Sequence, residues 1–171
     1  MNEDPIVITG AARTPMGGLS GDLADLQAPE LGTAAIMEAV KRSGLAPGDV
    51  EDVIMGEVLM AGQGQAPARQ AAIGAGIPDD KGATTINKMC GSGMMAAMFA
   101  HDTLLAGSHD VMVAGGMESM TNAPYLLPKA RGGMRMGHGK VLDHMFLDGL
   151  EDAYDRGKAM GVFAENTAEA Y

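Results

Sequence analysis

The apolar and polar positions of this chain fall into short runs separated by glycine and proline. Ile6-Val7-Ile8 is β-branched and stopped by Gly10, which predicts a first buried strand. Residues 11–28 carry Pro15, Gly17, Gly18 and Gly21 and predict a loop. A helix is predicted from Pro29 to Ser43, with Leu31, Ala34, Ala35, Met37, Ala39 and Val40 as its apolar residues. Pro29 suits a first turn, Glu30 the positive end of the helix, and Gly44 a C-terminal cap. Val50 to Leu59 predicts a second strand centred on Val53-Ile54-Met55, followed by a loop at Gly62-Gln63-Gly64-Gln65. Ala68 to Ala75 predicts a second helix ending near Gly76, with Pro78 just beyond. Ala83 to Asn87 predicts a third strand, Cys90 to Gly93 a glycine-bracketed turn, and Met94 to Ala106 a third helix ended by Gly107. The stretch Met94 to Ala100 is apolar on every side, which predicts a helix buried all round. Asp110 to Gly115 predicts a fourth strand.

Strands and helices thus alternate, βαβαβαβ, and that order predicts an α/β fold with a mixed, mostly parallel sheet. The character changes after Met120. Pro124, Pro128, several glycines and a basic cluster predict a loop-rich segment, so one domain is placed at 1–120 and the start of a second at 121–171. Glu165 to Tyr171 begins a helical pattern, and the sequence stops inside it without cap, glycine or proline, as a piece of a longer chain does.

Composition narrows the class. The 171 residues fit about one ordinary domain, and a net charge of −10 disfavours a nucleic-acid binder. A single cysteine excludes an intrachain disulfide and fits a reducing, cytoplasmic compartment. Met1 to Pro5 lacks the basic and apolar regions of a secretory leader, and no apolar run reaches the ~18 residues of a membrane helix. There are 16 methionines. Met94, Met95 and Met98 share the third predicted helix and fit core packing better than a metal site. No cysteine–histidine spacing supports zinc, and no dinucleotide, phosphate-loop or serine-hydrolase elbow pattern occurs.

The chemistry-bearing stretch is Asn87-Lys88-Met89-Cys90-Gly91-Ser92-Gly93. It sets a cysteine between a strand end and a helix start. A helix N-terminus offers free N–H groups and partial positive charge, which favour the thiolate and can hold an oxyanion. The glycines admit a substrate close to the backbone. Cys90 reads on these grounds either as the nucleophile of an acyl-transfer site or as a small buried apolar residue. A nucleophile needs a base. His101, His109, His138 and His144 offer no obvious partner and read as surface residues.

The same seven residues resemble the active-site motif of the thiolase family, which includes acetyl-CoA acetyltransferases. Other stretches resemble the family in the same order: Ile8 to Gly17, Ala114 to Pro124, Arg135 to Gly139, Asp148-Gly149-Leu150, Met160-Gly161 and Ala164-Glu165-Asn166. The resemblance covers essentially the whole chain. It implies the N-terminal thiolase domain and the start of its loop domain. It implies acetyl-CoA C-acetyltransferase activity, with Cys90 attacking an acyl-CoA thioester and its backbone N–H helping to form the oxyanion hole. Met160 corresponds to a methionine lining the acyl pocket of short-chain members, although Ala159 stands where many of these carry histidine. No metal or redox cofactor is implied, since the thioester is already activated. A degradative 3-ketoacyl-CoA thiolase and a non-catalytic acyl-CoA-binding or assembly module are the alternatives.

The family's Gly-His-Pro histidine, the cysteine of its Cys-x-Gly motif and a water-holding asparagine lie later in its chains. None occurs here, and His138 between two glycines does not match the first. Lys129, Arg131, Arg135, His138 and Lys140 either attract coenzyme A phosphates or form an ordinary solvated loop. The resemblance places them where the family assembles tetramers and guides coenzyme A, and implies a homodimer or homotetramer.

Overall fold

The computed structural model describes residues 5–171. Met1–Asp4, which carry most of the case against a secretory leader, lie outside the described residues. The chain forms two compact units, one ending at Asn122 and one spanning Ala123–Tyr171.

The first unit is built on a three-stranded parallel sheet in the order β2-β1-β3, from β1 (Asp52–Gly56), β2 (Gly82–Ile86) and β3 (Met112–Gly116). Its register aligns Met55 with Thr85 and with Gly115. Helices α1 (Ala28–Ser43) and α2 (Pro67–Gly74) pack on each other, and α3 (Ser92–Leu105) packs on β1 and β3. The core joins Ile36 and Val40 of α1, Ala68, Ala71 and Ala72 of α2, Val53 and Met55 of β1, and Met117. Burying these side chains removes apolar area from water, the main favourable term of folding. Small residues set the helix spacing. Gly32 faces Met117, and an added Cβ there would sit 2.6 Å from the Met117 sulfur.

Helix α1 begins where sequence signals place it. Pro29 lies in the first turn, Glu30 Oε2 accepts the Gln27 N–H at 2.7 Å, and Gly44 closes the helix at φ 77°. Helix α2 starts less comfortably. Ala66 holds φ 49° and ψ 69°, a left-handed conformation that costs an L-residue with a Cβ roughly 1–2 kcal/mol. Ala66 is exposed, so a change there loses no packing. Ala66→Asn, which tolerates this conformation, is expected to add about 1 kcal/mol and raise the thermal midpoint by several degrees. An unchanged or lower midpoint in a melt contradicts that account.

Expectations from sequence are corrected, beginning with the first strand. Ile6-Val7-Ile8 is not a strand. Val7 is 73% and Ile8 90% exposed, and among the described residues the far edge of β3 carries no neighbour in the sheet. An apolar cleft of about 590 Å³ is lined by both residues 6–12 and residues 111–116. A β-branched run is a strand only when a ladder pairs it, and the residues that follow this run are held by α1. Gly10 packs on the backbone of Ala39 and Ser43, and Arg42 Nη1 donates to Ala11 O at 3.0 Å. Among the described residues the first unit therefore runs αβαβαβ, the α/β fold read from the sequence, and every pairing in its sheet is parallel. The second correction is α3, which is not buried all round. Ser92, Ala96 and Ala100 face the sheet, while Met94 and Met98 are 74% and 53% exposed. Strands β1 and β3 cover one face of the helix only.

The second unit pairs β4 (Tyr125–Leu126) with β5 (Leu142–Asp143) in antiparallel fashion. A π-helical turn follows at Met145–Leu150, and α4 spans Met160–Ala170. The helical pattern thus starts five residues before its predicted onset at Glu165. His144 is buried rather than on the surface, with Nδ1 2.6 Å from Asp148 Oδ2. Among the described residues no helix is long and apolar enough to cross a membrane.

Candidate active site

Strand β2 runs out at Ile86 into a turn that hands the chain directly to α3. The turn is held by short-range hydrogen bonds. Met89 N donates to Asn87 Oδ1 at 2.9 Å, and Gly91 N to Lys88 O at 3.2 Å. Ser92 Oγ donates to Met89 O at 2.6 Å and accepts the Lys88 N–H at 2.8 Å. One buried hydroxyl thus ties both arms of the turn. Met89 adopts φ 51°, left-handed for a residue with a long side chain. Such conformations persist only where their surroundings impose them, and they concentrate at functional sites.

This geometry puts Cys90 outside, as a free, exposed cysteine at the N-terminal end of α3. The alternative of a small buried apolar residue is thereby overturned. Of the N–H groups that a helix N-terminus leaves without intrahelical acceptors, those of Gly91 and Ser92 beside Cys90 are taken by Lys88 O and Met89 O within the turn.

Glycines bring the sheet against the turn. A Cβ on Gly56 would lie 2.5 Å from Ser92 C and 2.6 Å from Gly93 N. Gly116 lies against Gly56 O and Gly93 Cα. The end of β1 is therefore the floor beneath Ser92. Ser92→Ala is expected to cost about 1–2 kcal/mol, the range for a buried bond whose partner is left unsatisfied. It should also speed amide exchange at Lys88. Unchanged stability and unchanged exchange would show that the hydroxyl does not hold the turn.

The residues after β3 lock neighbouring loops. Glu118 accepts the Val58 and Leu59 N–H groups, both at 2.9 Å. Ser119 Oγ donates to Leu26 O, and Asn122 Nδ2 donates to Ala24 O and Leu26 O. Glu118, Ser119 and Asn122 thus tie neighbouring loops of the first unit together.

Sequence reasoning missed Glu57. It is 1% exposed, and neither carboxyl oxygen has a hydrogen-bond partner among the described residues. Burial, with repulsion from Glu118 second, pushes its carboxyl up to about 7. A signal existed: Glu57 stands two residues after Met55 and four after Val53, and strand parity puts all three on one face.

The remaining candidates lie elsewhere. His101 lies late in α3, and His109 follows it, within 4.0 Å of Glu51 and Asp52 carboxylates. Met160 opens α4 of the second unit and is 40% exposed. Lys129, Arg131, Arg135, His138 and Lys140 are all exposed in that unit. Among the described residues no group of three or more histidine, cysteine, aspartate or glutamate side chains is placed to hold a metal.

Comparison with known proteins adds three findings. The family model described as "Thiolase, N-terminal domain" matches residues 6–171. The chain is 51% identical to the acetyl-CoA acetyltransferase of Cupriavidus necator over 166 residues, covering 97% of this chain and 42% of that protein. It is 50% identical to acetyl-CoA acetyltransferase 2 of Arabidopsis thaliana over 171 residues, all of this chain and 42% of that one. Among solved structures, the Acat5 thiolase of Ascaris suum in complex with coenzyme A superposes with a TM-score of 0.90 at 39% identity. That match covers 96% of this chain and 42% of the Ascaris chain. The chain spans about two-fifths of the length of these relatives.

Proposed function

The chain belongs to the thiolase family, and on that premise we propose that it carries the nucleophile of an acetyl-CoA C-acetyltransferase. The reaction is the reversible condensation of two acetyl-CoA molecules to acetoacetyl-CoA and coenzyme A. The Cys90 thiolate attacks the thioester carbonyl, forming a sulfur–carbon bond and an oxyanion. The backbone N–H of Cys90 helps to hold that oxyanion. Collapse expels the coenzyme A thiolate, which takes up a proton, and leaves acetyl-Cys90. The carbanion of a second acetyl-CoA then takes the acetyl group and returns the cysteine thiolate. That carbanion needs a base, which the resemblance assigns to a second cysteine absent from these 171 residues. Cys90 alone therefore supports the acylation half.

The observation that carries this proposal is the exposed cysteine on a strained turn at a helix N-terminus. The thioester supplies its own activation, so no metal or redox cofactor is expected. Met160 would line the acyl pocket. Residues 1–120 would form the nucleophile domain, and 121–171 the start of a loop region whose exposed cations attract coenzyme A phosphates. A homodimer or homotetramer and a cytoplasmic location complete the proposal.

The test joins residues 1–171 to the downstream part of the Cupriavidus enzyme and adds acetyl-CoA. Intact-mass and peptide analysis should find one acetyl group, on Cys90. A folded chimera without an adduct overturns the proposal. A second reading is a non-catalytic acyl-CoA-binding module, which coenzyme A binding without acetylation would support.

A further inference from the structure

We propose that the Glu57 carboxyl is a proton-operated latch on the Cys90 turn. Neutral, it stays buried and keeps the end of β1 seated beneath Ser92; ionised, it must reach water and unseats that support. As regulation of the site, the latch rests on Cys90 being the nucleophile. The structural coupling does not.

The reason begins with burial. A carboxylate without partners is costly in a dry interior, whereas the neutral acid is far less so. Both Glu57 oxygens lack hydrogen-bond partners among the described residues, and so does the buried Gln63 Nε2. The charged group acting on Glu57 is Glu118, and it is repulsive. Its own oxygens are committed to Val58 and Leu59, so it offers no relief. Glu57 titrates at about 7, so both forms are accessible near neutrality.

The lever is short. Glu57 N donates to Ile86 O at 3.0 Å, and Met117 N donates to Gly56 O at 2.9 Å. Gly56 in turn touches Ser92, whose hydroxyl ties Lys88 to Met89. Swinging Glu57 out to water pulls on Gly56 and on the Val58 and Leu59 anchors together. The element with two arrangements is therefore the segment Gly56–Leu59, and Ser92 transmits its state to the cysteine.

Hydrogen exchange on the intact chain tests this. After correction for intrinsic rates, exchange of the Lys88–Met95 amides should rise about tenfold between pH 6 and pH 8, the linkage expected of a carboxyl titrating within that window. Glu57→Gln should remove the rise. Protection that is flat with pH in the natural sequence overturns the latch, and so does an identical rise in Glu57→Gln. If Glu57→Gln fails to fold, Glu118→Gln serves, because losing the neighbouring charge should move the rise to lower pH. A rise that stays put then overturns the latch. The readout needs no acyl chemistry. A pH-dependent turn in a chimera that is never acetylated would sink the catalytic proposal and leave the latch standing, and the reverse result would do the opposite.

Discussion

Cys90→Ala is expected to abolish acyl transfer while leaving stability nearly untouched. In the chimera with a complete catalytic set, kcat/KM should fall by roughly 10³–10⁶, the range seen when a covalent nucleophile is removed. Its acetylated peptide should disappear altogether. The thermal midpoint should hold, because an exposed side chain gives up little burial and substitutions there usually change stability by less than about 0.5 kcal/mol. Two controls sharpen the result. Cys90→Ser keeps the shape but offers a poorer nucleophile, and should recover only a trace of transfer. Ser92→Ala should lower stability yet leave a nucleophile in place. Turnover retained in Cys90→Ala rules the cysteine out. A large drop in its midpoint would instead mean that Cys90 supports the turn and that lost activity reflects lost structure.

What was legible in the sequence follows physical lines. Helix α1 was readable because its signals are local: a proline and glutamate in the first turn and a glycine cap that adopts the left-handed conformation. The turn at Cys90 was readable because glycine and serine at a strand-to-helix junction limit the backbone. Ile6-Val7-Ile8 was misread because β-branched residues report a preference for extended backbone but cannot report a missing ladder partner. Helix α3 was misread for a related reason. Its apolar pattern states what the helix can bury, while the described structure lays strands on one face only. Buried His144, paired with Asp148, was lost because one histidine in an irregular stretch gives no period to read. Glu57 lies inside the strand predicted from Val50 to Leu59, but that strand is centred on its apolar residues, and parity with Met55, which places the carboxyl inside, goes unused.

Glu57→Gln is expected to make the chain more stable at neutral and alkaline pH, by an amount that vanishes in acid. The sign follows from proton counting. An ordinary carboxyl titrates near 4.5, and in the folded chain Glu57 is held up to about 7. Between these values the folded state binds a proton that the unfolded chain has released. Its contribution is therefore fully present below 4.5, declines as pH rises, and levels off above 7. Each tenfold difference in proton affinity between the folded and unfolded chain is worth about 1.4 kcal/mol, so the decline is on the order of 3 kcal/mol. Glutamine fills nearly the same volume without a charge, so it does not follow that decline. Repulsion by Glu118 also gives way to attraction for an amide N–H. The partly buried carboxylates Glu38, Glu51 and Glu151 are lowered by hydrogen-bonded partners and pull the stability curve the other way. They are common to both proteins, so the difference between two urea titrations at each pH isolates Glu57. That difference should be near zero at pH 4 and grow to its plateau by pH 8. Parallel curves across this range would mean that Glu57 ionises without penalty, and that its burial in the folded chain is relieved by contacts outside those described.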